Sequence, residues 1–454
     1  MTGQTQLRLS FYGDDLTGST DALEQLSLAG LSTMLFLEPP TRAQLSQFPG
    51  LEACGVAGLT RSLPSGVLAG VLRPALQSLR ALGAPHVHYK ICSTFDSSPK
   101  IGSLGRVLEV AAEIFPAPFT PLLAAAPWLG RYTLFGNHFA RYGIGSQGAV
   151  YRLDRHPSIS LHPVTPMREA DLRRHLARQT DRRTELFDIL QLSLPPRECR
   201  TRFHKLIAGG PAVVLFDALA AEQLPRIGGL IDPYGSRNAP LFSLGSSGIE
   251  AALCGHWRQT GRLTSRRPAR HTIQPVEQVL AGSGSCSPVT SGQIAWALKN
   301  GFAEVPLNAA ALVSPGTAGR ERQRAIRQTV RLLQTGRSVL VHTTRRGSDD
   351  LIQKQLQGQT AKILGTALGE ILLGALRERR PGRLCLAGGD TASFAARAMH
   401  LTALALIAPF TPGAPLCRAC APTVPVEGLE IVFKGGQLGS DDFFGRVKSG
   451  NNTL

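Results

Sequence analysis

A strand-like segment that runs straight into two adjacent carboxylates constrains this chain more than any other feature. Residues 7–18 read Leu-Arg-Leu-Ser-Phe-Tyr-Gly-Asp-Asp-Leu-Thr-Gly, and a helix-like run from Ser19 to Leu28 follows. In an open α/β sheet, ligands bind at the carboxyl ends of the strands. Asp14 and Asp15 therefore stand where a polar ligand would sit. An acid pair there can hold sugar hydroxyls, bind a cation or take a proton. Capping of the helix accounts for one Asp, but the Asp-Asp pair followed by Thr17-Gly18 is more than a cap requires.

Strand-like and helix-like segments alternate along the rest of the 454 residues. This predicts an α/β class: two α/β domains with mainly parallel sheets and an interdomain active-site cleft. Strands are expected at Arg8–Gly13, Ser32–Leu37, His86–Ile91, Tyr132–Phe135, Ala212–Phe216 and Leu241–Ser243. After Trp257 the pattern lapses into an Arg-rich stretch containing Pro268, read as a linker. The expected division is 1–257, linker 258–274, and 275–454. In the second block, strands are expected at Val276–Ala281, Glu304–Pro306, Ser338–Val341, Arg383–Ala387 and Leu429–Phe433.

Composition limits the function classes. The chain carries 49 Lys and Arg against 32 Asp and Glu, a net charge of +17, which favours anionic partners such as phosphates and acid metabolites. Aromatic residues make up only 6%, too few for single-strand nucleic-acid binding by stacking. An Arg-rich surface is the simpler reading, and no nucleic-acid partner is expected. There is no apolar run of about 18 residues and no basic-then-apolar leader at the start, so a cytoplasmic protein with no membrane partner is expected. Of eight cysteines only Cys417 and Cys420 form a CxxC. A structural zinc site needs four ligands, so the thiols read as buried small residues. No metal ligand is assigned.

Four further stretches of the first block are polar. Lys90-Ile91-Cys92-Ser93-Thr94-Phe95-Asp96 combines a cation, hydroxyls and an acid: Lys90 for a substrate carboxylate, Ser93, Thr94 and Asp96 for hydroxyls. Capping by Asp96 or Ser97 of a helix near Gly102 is the structural alternative. Gly136 to Arg141 reads as a loop in which His138 and Arg141 could hold an acid group. Thr165 with Pro166 reads as a helix start. Gly245-Ser246-Ser247-Gly248 is either an anion site at a helix start or a tight turn.

The second block has three glycine-rich loops, each placed after a strand: Gly282-Ser283-Gly284-Ser285-Cys286-Ser287, Gly388-Gly389-Asp390-Thr391 and Lys434-Gly435-Gly436-Gln437-Leu438-Gly439. Glycines admit close backbone approach, and free amides cradle phosphate oxygens. Three such loops with a Lys and an Asp point to a nucleotide phosphate site. The Gly-x-x-x-x-Gly-Lys-Ser/Thr P-loop is absent, and the dinucleotide fingerprint lacks its third Gly and its acid.

Taken in order, Asp14-Asp15-Leu16-Thr17-Gly18, the Lys90–Asp96 segment, Gly284-Ser285, Gly388-Gly389-Asp390-Thr391 and Lys434-Gly435-Gly436-Gln437 resemble the four-carbon acid sugar kinase family over essentially the whole chain. The resemblance implies a sugar-binding N-terminal domain and a nucleotide-binding C-terminal domain. It implies ATP, with Mg²⁺ on its phosphates, and phosphorylation of a terminal hydroxyl of an acid such as 3-oxo-tetronate, threonate or erythronate. A related branch acts on 3-oxo-isoapionate. Ser285, Gly388, Gly389, Asp390, Thr391 and Gly436 match ATP-contacting positions, with Lys434 and Gly435 beside them. Asp14 and Asp15 match the sugar-pocket acids. Asp15 or Asp14 is the expected general base, with Asp390 the rival. The domains are expected to close over both substrates, and a homodimer is the expected assembly. The alternative from another class is a non-catalytic sensor of sugar acid or nucleotide.

Overall fold

The computed structural model describes residues 6–142, 148–162, 164–264, 272–285, 287–343, 360–422 and 425–452. The chain divides into two compact units, Met1–Pro268 and Ala269–Leu454, both of the α/β class.

In the first unit the strands are β1 (Leu9–Gly13), β2 (Thr33–Phe36), β3 (Ala53–Ala57), β4 (His86–Lys90), β5 (Thr120–Leu123), β6 (Arg131–Leu134), β7 (Asn137–Arg141), β8 (Val150–Arg152), β9 (Thr184–Phe187), β10 (Val213–Phe216) and β11 (Leu241–Gly245). Eight of them form a parallel sheet in the order β2-β3-β1-β4-β11-β5-β10-β9. β1, β2, β3, β4, β10 and β11 are buried along their whole length. A parallel sheet covered by helices on both faces selects continuous apolar runs such as Val-Val-Leu-Phe of β10. The covering helices supply apolar stripes. In helix Leu104–Ile114, Leu104, Val107, Leu108, Val110, Ala111 and Ile114 are buried, each large side chain contributing about 1.5–3 kcal/mol. The remaining strands make a small antiparallel sheet, β6-β7-β8.

The second unit contains β12 (Val279–Ser283), β13 (Ala303–Pro306), β14 (Val339–His342), β15 (Arg383–Ala387), β16 (Ala403–Thr411), β17 (Ala414–Cys420) and β18 (Glu430–Lys434). The order β13-β14-β12-β15-β18 is parallel, and β17 and β16 continue it antiparallel.

Several sequence expectations change. The stretch ending in Thr165 and Pro166 starts no helix; the helix begins at Leu172, where Asp171 accepts from the Arg173 amide. Neither Asp96 nor Ser97 caps the helix near Gly102, because Ser103 does, accepting from the Arg106 amide. Residues 136–141 are no loop: Asn137–Arg141 is a strand. The helix at Gly248 runs on to Gln259, so the first residues read as linker are helical, and residues 265–271 of that stretch lie outside the described residues. Cys286 does so too. Cys417 and Cys420 sit in one strand, where residues three apart face opposite ways. No described helix is long and apolar enough to cross a membrane.

Candidate active site

In the first unit, parallel register fixes the acidic site. Gly13 is level with Lys90 on β4 and with Ala57 on β3, so the turns leaving β1 and β3 emerge side by side. The Asp14 amide donates to the Lys90 carbonyl (2.9 Å), and the Arg61 amide donates to the Asp14 carbonyl (3.1 Å). The Arg61 side chain then lies between the two carboxylates. Its Nε and Nη2 donate to Asp14 (3.1 and 2.8 Å), and its Nη1 and Nη2 donate to Asp15 (2.6 and 2.8 Å). A planar fork suits this paired geometry as an ammonium would not. Asp15 also accepts from the Gly18 amide (2.7 Å) and the Thr17 hydroxyl (2.7 Å), so it is helix cap and ion-pair partner at once. Burial, the largest influence, raises the pKa of Asp14 against the opposing pull of Arg61. Burial likewise raises Asp21, again against a cation, Lys90.

Lys90, 2% exposed, pairs with Asp21 at 3.4 Å and donates to the Ile91 carbonyl (2.9 Å). Gly18 faces the same spot. A Cβ there would lie 2.6 Å from Asp15 Oδ1, 3.4 Å from Arg61 Nη2 and 3.5 Å from Lys90 Nζ. The absent side chain leaves room against the charged groups. The structure thus brings Asp14, Asp15 and Lys90 together. It adds Arg61, which sequence reasoning missed. The signal was present: a polar turn, Leu59-Thr60-Arg61, directly after an apolar stretch.

The 92–98 turn leaves β4 and is braced from several sides. Thr94 donates to Asp96 (2.9 Å). Phe95 holds φ of 60° with its ring fully buried against His175. A non-glycine residue in that region costs energy that surrounding packing must offset. Ser97 donates to the Phe95 carbonyl and receives bonds from His175 Nε2 (3.0 Å) and Gln179 (3.0 Å). His138 has a different job from the one expected. It is fully buried, Nε2 donates to the Ser93 carbonyl (2.8 Å), and Nδ1 accepts from Thr133 (2.9 Å). Burial lowers its pKa to about 4, and that of His175 to about 4. Both are neutral braces of the turn that carries Ser93, Thr94 and Asp96. Arg141 is half-buried and donates to the Gly148 carbonyl (2.8 Å). At Gly248, a Cβ would stand 2.2 Å from the Ala125 carbonyl oxygen, so that sequence serves a tight turn.

In the second unit the three glycine loops meet. β12, β15 and β18 are neighbours, with Ser283, Ala387 and Lys434 at matching register, so their loops leave the sheet together. The Gly388 amide donates to the Lys434 carbonyl (2.9 Å), and the Gly284 amide donates to the Ala387 carbonyl (3.3 Å). Gly388 has φ of 127°, and a Cβ on it would meet Thr391 Oγ1 at 2.4 Å; a Cβ on Gly284 would meet the same Thr391 at 2.8 Å, and one on Gly436 would meet Ser285 Oγ at 2.8 Å. Gly389 precedes the helix Asp390–Ala398, which Asp390 opens. Lys434 is fully buried, donates to Thr290 (3.0 Å) and to the Gly435 carbonyl (3.0 Å), and has its pKa lowered to about 8 by burial. Glycine backbone, a helix start and a desolvated ammonium are an arrangement that can hold an anion.

Two family models match separate parts of the chain. Residues 9–253 match the model of a sugar-binding N-terminal domain, and residues 280–444 match that of a nucleotide-binding C-terminal domain. The chain belongs to the four-carbon acid sugar kinase family. It is 42% identical to 3-oxo-isoapionate kinase of Paraburkholderia graminis, covering 98% of this chain and 94% of that one. It is 28% identical to 3-oxo-tetronate kinase of Pseudomonas savastanoi pv. phaseolicola, covering 97% and 96%. In fold it is similar to a Salmonella typhimurium LT2 protein at TM-score 0.74 and 23% identity, covering 96% and 98%. A Haemophilus influenzae protein matches at TM-score 0.67 and 22% identity, with the same coverage.

Proposed function

We propose that this kinase transfers the γ-phosphate of ATP to a terminal hydroxyl of a short sugar acid, and that 3-oxo-isoapionate is its substrate. The observation that carries the substrate is the 42% full-length identity to a 3-oxo-isoapionate kinase, against 26–29% for the 3-oxo-tetronate kinases. The chemistry rests on the two residue sets. Phosphoryl transfer is mostly positioning and charge stabilisation. The Ser285, Gly388, Gly389, Thr391, Gly435 and Gly436 loops hold the phosphates, and Lys434 offsets their charge. Mg²⁺ enters on the nucleotide, since it binds chiefly through substrate oxygens and one or two carboxylates; Asp390 is the carboxylate at the loops.

Asp14 accepts the proton of the attacking hydroxyl. Its raised pKa suits a base, and among the described residues the side-chain hydrogen bonds to its two oxygens come from Arg61. Asp15 is more heavily committed, to Gly18, Thr17 and Arg61. Asp14→Asn should lower kcat by about 100-fold or more with KM for ATP nearly unchanged, in an assay of acid-dependent ADP release. If Asp390→Asn gives that pattern and Asp14→Asn does not, the base lies in the nucleotide domain.

A further inference from the structure

The buried and part-buried cations of the first unit are not equivalent. Arg61 is committed to Asp14 and Asp15, and Lys90 to Asp21. Arg131 differs. It opens β6 and is 5% exposed. Its Nη1 donates to the carbonyls of Leu129 (3.0 Å), Gly130 (3.3 Å) and Arg141 (3.1 Å). Its Nε is buried with no hydrogen-bond partner. Among the described residues, no carboxylate lies within ion-pair distance of it. A guanidinium taken out of water without an anion is costly, and carbonyl dipoles only partly replace one.

Its position gives that cost a use. Residues two apart on a strand share a face, so Arg131 lies with Thr133, and both are buried. Thr133 bonds His138, which donates to the Ser93 carbonyl. This face of the small sheet is therefore laid against the 92–98 turn. The charge of Asp96 is close enough to act on Arg131. On the sugar-acid reading above, we infer that Arg131 binds the substrate carboxylate, with its fork in place of water, while Thr94 and Asp96 hold the neighbouring hydroxyls. Arg131 is then the residue that makes the enzyme select an acid over the corresponding polyol.

The test uses the full chain and two variants, Arg131→Gln and Arg131→Lys. Two readouts are taken: ADP release with ATP and Mg²⁺, and the rise in melting temperature on adding 3-oxo-isoapionate, D-threonate or D-erythronate, against threitol or erythritol as neutral controls. Wild type should be stabilised by an acid and not by the polyols. Arg131→Gln should raise KM for the acid by about 30-fold or more, leave KM for ATP unchanged and lose the preference for acid. Arg131→Lys keeps the charge without the fork and should fall between, and it decides the matter if the Gln variant does not fold. Retention of KM and of the acid preference in a folded variant overturns the assignment. Acid stabilisation that depends on Arg131 without ADP release overturns the kinase reading and leaves Arg131 standing. No stabilisation and no turnover with any acid overturns both.

Discussion

At the scale of single residues, the account turns on which charges are already answered inside the protein. Arg61 answers Asp14 and Asp15 across separations of 47 and 46 residues. That distance is why sequence reasoning found the acids and missed the cation: two adjacent carboxylates are visible in a line of text, and a pairing made by register between β1 and β3 is not. His138 shows the reverse error. It was legible as a polar residue near the site, but strand β7 turns it inward, where it braces the Ser93 turn. This has a consequence in pH. His138 and His175 titrate at about 4 in the folded protein against 6.5 for the free side chain. Between those values the unfolded chain binds more protons, so stability is full above about pH 6.5 and falls as pH drops toward 4. Each His contributes about 2 kcal/mol of loss by pH 5. Urea unfolding at pH 7.5 and pH 5 should show the fall, and His138→Gln should show a smaller one. Equal falls in both proteins would remove His138 from the explanation.

At the scale of elements, apolar runs closed by glycine were the legible part. β10, β12, β15 and β18 were recognisable because the interiors of strands buried on both faces are apolar, and β1 and β4 because apolar residues recur along them between polar ones. Their loops carry the candidate site, so much of that site was recognisable with them. β3 was missed: Ala-Cys-Gly-Val-Ala has one β-branched residue and little bulk. The β16–β17 hairpin was missed because Pro409 interrupts its first strand, and the ladder shifts register on either side of Ala408, as expected where a residue cannot donate. Helix Ser65–Ala81 was hidden by Pro74 inside it. What no single loop could reveal is that three of them converge. Gly388 tests that convergence, because φ of 127° and a Cβ 2.4 Å from Thr391 Oγ1 leave no room for alanine. Gly388→Ala should raise KM for ATP by about tenfold or more, the effect of about 1.4 kcal/mol, with KM for the sugar acid little changed. Varying each substrate in turn measures both; a rise shared equally by the two would argue against a local phosphate cradle.

At the scale of the whole molecule, the chain is two α/β units, each with candidate-site residues on turns at the carboxyl ends of its parallel strands. The alternation of strands and helices made the class legible, and ordered motifs made the family legible. Substrate identity was not, because 3-oxo-tetronate and 3-oxo-isoapionate differ by few atoms, and discrimination of that size comes from pocket shape worth about 1–3 kcal/mol. On the proposed reading, that shape would be set by side chains brought together from distant segments such as the 92–98 turn and the β6–β7–β8 sheet. The most direct measurement is kcat/KM for ADP release with ATP and Mg²⁺ against 3-oxo-isoapionate, 3-oxo-tetronate, D-threonate, L-threonate and D-erythronate. The account predicts acid-dependent turnover with 3-oxo-isoapionate preferred by about tenfold or more. ADP release that is the same with and without every acid would contradict it.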